Sequence, residues 1–315
     1  MAPYSSVVRS LVTSNPLEVV VGGLRLEHPV LNASGVLGFE PEHVAILARA
    51  GFSGIVTKTF TRDRREGHPP PIIVELDNGG LINAVGLSNP GIDGICPVVK
   101  AAKALGKPIV VSVGGSSSEE LVELVARAEE CGADAIELNL SCPNVRYGGI
   151  EIGSNPSLVY SFVRDFTSTT KLPVFAKLGL CDKVVEAASK AIEAGASGLT
   201  LINTIKAMVI DVYAAKPILS NRYGGLSGPP IKPIALRVVY EVYEELSVDI
   251  IGCGGISTWR DAAEFILAGA KALQVGTAFI KNKAVVNEIL SGLKKWIGLI
   301  GASRVLDLVG LAHRR

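Results

Sequence analysis

Short apolar runs alternate with longer amphipathic stretches along most of the chain. The runs Pro29–Ser34, Gly54–Phe60, Pro108–Val113, Ala135–Leu140, Pro173–Leu178, Gly198–Asn203, Asp249–Cys253 and Ala272–Gly276 predict eight strands. They are rich in Val, Ile, Leu and Ala at successive positions, the pattern of strands covered on both faces. Helical periodicity fills the intervals, as in Ser118–Cys131, Asp182–Ala194, Pro230–Leu246 and Trp259–Ala268. Ser118 with Glu119 and Glu120 offers a cap and first-turn acids, and Gly132 and Gly195 stand at helix stops. Eight strand–helix units predict a (β/α)8 TIM barrel of the α/β class, with a doubly wound open sheet as the other architecture.

An internal echo favours closure. Ala50-Gly51-Phe52-Ser53-Gly54-Ile55, Cys131-Gly132-Ala133-Asp134-Ala135-Ile136, Ala194-Gly195-Ala196-Ser197-Gly198-Leu199 and Ala268-Gly269-Ala270-Lys271-Ala272-Leu273 share one form. Each joins a helix end, a glycine, a tight turn and a new strand, and they precede every second predicted strand. Leu17–Leu26 alternates around Gly22-Gly23 and predicts an N-terminal β-hairpin plugging the barrel bottom. Thr61–Asn89 and Thr204–Ser227, after the second and sixth strands, are too long for plain connectors and predict lids over the barrel mouth. Nothing in the composition suggests a linker, so residues 1–315 are expected to form one domain.

Composition narrows the function. The chain is 48% apolar and 19% charged, with a net charge of +1. That near-neutrality argues against a nucleic-acid partner. Mean hydropathy is +0.37, yet the longest stretch free of acidic and basic residues, Asn78 to Ile92, is rich in Gly and Asn. A spanning helix needs about 20 apolar residues, so no membrane segment is expected. No signal peptide is read before Pro16, and a cytoplasmic location is the default. Five widely spaced cysteines without a CxxC pair predict neither a disulfide framework nor a metal or iron–sulfur site.

The informative anomaly is polar residues near the C-terminal ends of apolar strands. Lys58, Asn139, Lys177 and Asn203 fall on the second, fourth, fifth and sixth strands. A single such lysine could snorkel or find an ion partner; four polar interruptions at ends that converge on one mouth point to a site. Glu137 shares strand parity with Asn139 and should point inward, pairing with a cation, Lys177 first. Gly252-Cys253-Gly254-Gly255 and Gly276-Thr277 close the seventh and eighth strands, where barrels of this kind bind phosphate. GxGxxG and GxxxxGK[ST] are both absent, excluding a Rossmann fingerprint and a P-loop. Cys142, in Asn139-Leu140-Ser141-Cys142-Pro143-Asn144, reads either as a small buried hydrophobe or as a thiol that accepts a proton. The four histidines read as non-catalytic.

These residues carry a resemblance. Ala33-Ser34-Gly35, Thr57-Lys58-Thr59, the segment Asn83 to Gly91, Glu137 to Val145, Ile202-Asn203-Thr204, Gly224 to Pro229, Gly254-Gly255 and Gly276-Thr277 are, in order, similar to motifs of the dihydroorotate dehydrogenases. The resemblance, from about residue 17 to 290, implies an FMN-containing barrel oxidising dihydroorotate to orotate in pyrimidine synthesis. It implies Cys142 as the base for the substrate C5 proton while hydride passes from C6 to flavin N5. Lys58, Asn83, Ala84, Val85, Gly86, Leu87, Asn139, Asn144, Asn203 and Thr204 would hold substrate, with Asn89 a further neighbour. Ser34, Lys58, Thr59, Ser112, Asn139, Lys177, Ile202, Gly228, Gly254, Gly255, Gly276 and Thr277 would hold FMN, and no metal is implied.

Cys142, where the membrane-linked branch has serine, and the short segment before the hairpin resemble the soluble class. Asn83 to Gly91, Val145 to Gly149 and Gly224 to Pro229 resemble its class 1B branch, whereas Arg65-Glu66-Gly67 is nearer the fumarate-using class 1A. Class 1B implies a homodimer joined in a heterotetramer to an electron-transfer subunit carrying FAD and a 2Fe–2S cluster and reducing NAD. Ser112 stands where class 1B has Asn, and Gly179-Leu180 replaces Ser-Pro. The alternatives are a stand-alone class 1A enzyme and a flavin-free, phosphate-binding barrel isomerase.

Overall fold

A computed structural model describes residues 15–141 and 150–314. In chain order its strands are β1 (Val19–Val21), β2 (Leu24–Leu26), β3 (Val30–Asn32), β4 (Ile55–Val56), β5 (Ile73–Glu75), β6 (Leu81–Asn83), β7 (Ile109–Val113) and β8 (Ala135–Asn139), followed by β9 (Val174–Leu178), β10 (Gly198–Leu201), β11 (Ile205–Ala207), β12 (Ile210–Asp211), β13 (Lys216–Pro217), β14 (Gly224–Ser227), β15 (Ile250–Cys253) and β16 (Ala270–Val275). The helices are α1 (Pro41–Arg49), α2 (Ile95–Ala104), α3 (Ser118–Glu130), α4 (Ile150–Gly153), α5 (Pro156–Thr167), α6 (Val184–Glu193), α7 (Lys232–Leu246), α8 (Trp259–Leu267), α9 (Thr277–Lys281) and α10 (Val285–Leu299).

Eight parallel strands run in the order β3-β16-β15-β10-β9-β8-β7-β4. This is chain order around a cylinder, with none of the reversal that marks a doubly wound sheet. The barrel expectation therefore holds. β7 and β9 are buried at every position, which explains their unbroken apolar character. The helices cover them by one face each; α6 buries Val184, Ala187, Ala188 and Ala191, spaced at three and four residues.

The seam of the cylinder is made by a side chain. β3 and β4 share no ladder, but Asn32 Nδ2 donates to Val56 O at 2.6 Å and Asn32 Oδ1 accepts from Val56 N at 2.9 Å. A carboxamide presents the same donor and acceptor as a peptide group, so Asn32 completes the hydrogen bonding that a neighbouring strand would supply. Ser53 N adds a bond to Val30 O at 3.1 Å.

Three local expectations need adjusting. The second predicted strand, Gly54–Phe60, is regular over Ile55–Val56 alone. Beyond it Thr57 N still bonds to Val110 O of β7, Lys58 N bonds to Gly38 O at 3.3 Å, and the next bond to β7 slips one residue, from Phe60 N to Ser112 O. The cap of α3 is Ser117, whose hydroxyl accepts from Glu120 N, while Ser118 is the first helical residue and bonds to Asp165. Cysteine spacing gave no hint of a disulfide, yet Cys96 on α2 and Cys131 at the end of α3 are joined, with Cα atoms 5.1 Å apart. Neighbouring helices bring together residues 35 apart in sequence.

The N-terminal hairpin forms as expected, β1 antiparallel to β2, turning at Gly22 and Gly23. Gly22 has φ +53°, and a Cβ there would lie 2.7 Å from the Phe175 ring. Its N–H donates to Asp249 Oδ2 at 2.7 Å. The turn is thereby fastened to the start of β15 and packed on β9.

The two long loops are not separate lids. They combine into one antiparallel sheet in the order β11-β14-β6-β5. Ile82, Ala84 and Leu219 form a small core of their own beneath it. Among the described residues no helix is long and apolar enough to cross a membrane.

Candidate active site

A cavity of about 310 Å³ opens at the C-terminal ends of the barrel strands, roofed by the lid sheet. Its volume is at the low end of ordinary small-molecule sites. It is lined by Lys58, Asn83, Val85, Gly86, Leu87, Asn139, Asn203 and Thr204, and by Lys177, Gly228, Gly254, Gly255, Gly276 and Thr277, with Ser34, Thr59 and Ile202. The polar anomalies of four separate strands thus meet in one place.

Lys58 is 9% exposed and makes no hydrogen bond or ion pair among the described residues. Its ammonium lies 4.8 Å from the centroid of the Phe39 ring. Burial pulls its pKa below the usual lysine value, because a charge leaving water without a counter-ion is disfavoured. Such a cation is set to take an anion from the cavity.

Around it runs a hydroxyl and amide network. Asn139 Nδ2 donates to Thr59 Oγ1 at 3.0 Å, and Thr59 Oγ1 also meets Ser112 Oγ at 3.0 Å and Ser34 Oγ at 3.3 Å. Asn203 Nδ2 donates to Ser141 Oγ at 2.9 Å. Asn83 Nδ2 reaches Gly225 O at 3.3 Å, tying one lid strand to another.

At the barrel axis Glu137 is fully buried and pairs with Lys177 at 3.2 Å, as strand parity predicts. Gln274 Oε1 accepts from the same ammonium at 2.9 Å. Gly255, which also lines the cavity, has φ +79°, and a Cβ there would stand 2.8 Å from Gly228 O and from Lys232 N. A residue with a side chain is excluded from this turn.

Some expected site residues lie elsewhere. Ala84 does not line the cavity, since its methyl belongs to the small core under the lid. Ser112 is fully buried behind Thr59. Asn89 uses both ends of its amide on the lid backbone and on Thr61. Cys142 and Asn144 lie outside the described residues. The histidines are structural: His28 bonds to Gly51 O, His68 to Ala84 O and His313 to Ala268 O, while His43 packs on Phe39.

Sequence reasoning missed Gln274 and Cys253, both of which line the cavity. Gln274 is the chain's single glutamine and sits in an apolar strand, a signal that was present. Cys253 is a buried thiol whose pKa burial pushes up, so it is held protonated.

The fold and this site together define a (β/α)8 barrel with lysines, asparagines and glycine turns gathered in one cavity at the strand C-termini. The sequence signature described as dihydroorotate dehydrogenase spans residues 16–297. A protein of Aeropyrum pernix, provisionally named dihydroorotate dehydrogenase A (fumarate), is 48% identical over 95% of this chain and 98% of its own length. Proteins of Thermoplasma acidophilum and Pyrococcus abyssi, each named dihydroorotate dehydrogenase B (NAD(+)), catalytic subunit, are 45% and 44% identical over 95% and 94% of this chain and 99% of theirs. The crystal structure of a dihydroorotate dehydrogenase from Eimeria tenella, in complex with ferulenol, superimposes with a TM-score of 0.83 at 25% identity, over 100% of this chain and 92% of that one. The chain belongs to the dihydroorotate dehydrogenase family. It is an oxidoreductase that converts dihydroorotate to orotate in pyrimidine synthesis.

Proposed function

We propose that this chain is the catalytic subunit of a class 1B enzyme, holding one FMN against a substrate pocket. One observation carries the reading: a single cavity gathers a buried Lys58 without an ion partner among the described residues, three asparagine amides, Lys177 and the glycine turns at Gly254-Gly255 and Gly276. The cradle fits a phosphorylated flavin. Close backbone approach at Gly228 and Gly255 suits its phosphate, and Lys177 suits the polar edge of its ring. When bound, FMN supplies the two-electron acceptor for the hydride that leaves substrate C6.

The chain does the rest. Lys58 takes the substrate carboxylate, recovering the stabilisation its ammonium lost on burial. Asn83, Asn139 and Asn203, with Thr204, meet the ring amide and carbonyl groups, fixing which face is presented. The lid sheet shuts out water, which strengthens every charge interaction beneath it. Cys142 is the base for the C5 proton, which its thiolate form accepts. Asn144 and the Val85–Leu87 backbone complete the substrate side. Ser34, Thr59, Ile202 and Thr277 complete the flavin side, with Ser112 acting through Thr59.

Electrons then leave through a second subunit carrying FAD and a 2Fe–2S cluster, with NAD as acceptor. The B-type names of the Thermoplasma and Pyrococcus relatives support this. The Aeropyrum relative and Arg65-Glu66-Gly67 favour a second reading, a stand-alone fumarate enzyme. In either case the expected state is a cytoplasmic homodimer. The purified chain should absorb near 450 nm and bleach anaerobically with dihydroorotate. Reoxidation by fumarate alone would overturn the class 1B reading; a colourless chain with no affinity for FMN would overturn both.

A further inference from the structure

Glu137 is fully buried, and neither of its oxygens is left to the cavity. Oε1 accepts from Lys177 Nζ at 3.2 Å, while Oε2 accepts from Thr200 Oγ1 at 3.2 Å and from Gln274 Nε2. Gln274 Oε1 accepts from Lys177 Nζ at 2.9 Å. Lys177, Glu137 and Gln274 therefore close a three-membered ring of hydrogen bonds drawn from β9, β8 and β16. Two of the three ammonium protons are committed inside the ring. The third is the one Lys177 can offer to a ligand, and Lys177 and Gln274, unlike Glu137, line the cavity.

Resting on the flavin reading above, we propose that Glu137 and Gln274 are positioning residues that aim Lys177 at the flavin ring and set its effective charge there. A bare ammonium held in this low-dielectric site would stabilise a negative reduced flavin strongly. The carboxylate one contact away offsets much of that field, and the amide bridges the two so that the ammonium cannot swing away. The arrangement trades the driving force for accepting a hydride against the ease of passing electrons onward. Glu137 never meets substrate or flavin; it acts through Lys177.

The test is the flavin midpoint potential, titrated without substrate in holoenzyme. Glu137→Gln keeps the size and an acceptor for Lys177 but removes the charge. It should favour the reduced flavin at least tenfold, which for a two-electron couple is a rise of about 30 mV. Gln274→Leu removes the bridge that keeps the ammonium from swinging away and should shift the equilibrium the opposite way. Should Glu137→Gln fail to fold or to retain flavin, Gln274→Leu decides alone. Flavin reduction equilibria within twofold of wild type in the variants that retain flavin, with only stability or flavin affinity changed, would overturn the proposal, since a packing role predicts that result. A flavin-loaded wild type that dihydroorotate does not bleach would instead refute the assigned reaction, and the potential shifts would still stand or fall separately.

Discussion

The seam between β3 and β4 gives a sharp test of how the barrel is closed. Asn32→Leu preserves side-chain volume and removes both polar ends. Val56 N–H and Val56 O, bonded to that side chain at 2.9 and 2.6 Å, then lose those partners in a region where Ile55 and Val56 are fully buried. Each stranded backbone group costs about 1–3 kcal/mol, so the pair costs roughly 2–6 kcal/mol. Against a typical total of about 5–15 kcal/mol, that is a large fraction. Urea unfolding followed by circular dichroism should show a lower midpoint at nearly unchanged slope. Asn32→Asp keeps the acceptor, loses the donor and buries a charge, so it should be at least as damaging. A Leu variant within about 0.5 kcal/mol of the parent would refute the claim that one carboxamide substitutes for a ladder.

The remaining predictions follow from single groups. His28 accepts from Val30 N through Nδ1 and meets Gly51 O through Nε2, so its neutral form is the one the fold uses. Burial lowers its pKa from 6.5 to about 4. Its contribution is therefore complete above pH 6.5 and is lost as the pH falls towards 4, by about 3 kcal/mol; His28→Gln should flatten that slope in pH-dependent unfolding. Lys58→Met should leave the ligand-free protein as stable or more stable at neutral pH, because the buried ammonium is a cost until the pH rises through its lowered pKa. The same change should weaken orotate binding by at least about 30-fold, or ~2 kcal/mol, by calorimetry. Reducing the Cys96–Cys131 bond, which spans 35 residues, should lower stability by about 3–4 kcal/mol. Mass spectrometry after alkylation checks the bond itself, and free thiols at both positions in the native protein would refute it.

Much of the barrel was legible because strands covered on both faces must be apolar throughout, so Lys58, Asn139, Lys177 and Asn203 stood out against their neighbours. Strand parity was enough to place Glu137 beside Lys177. What stayed hidden is what depends on distant partners. Asn32 looks like a strand-end polar residue until β4 is brought beside it. Cys96 and Cys131 carry no spacing signal, because their meeting is a property of two adjacent helices. Ala84 belongs to a site-like motif yet faces a private core, since motif position says nothing about which way a lid strand turns. Gln274 was visible as a polar residue in an apolar strand, but its role needed the ring closed by Glu137 and Lys177.

The shared lid sheet bears on engineering. Ile82 faces Leu226 and Asn83 faces Gly225 across the β6–β14 ladder, joining loops more than a hundred residues apart. A Cβ on Gly225 would come within 2.0 Å of Thr204 Oγ1, and one on Gly224 within 2.6 Å of Asn83 O. Grafting one loop from a relative would therefore import half of a matched pair and set it against a foreign edge. Any redesign of what this barrel accepts has to transplant both segments together, as though they were a single exchangeable part.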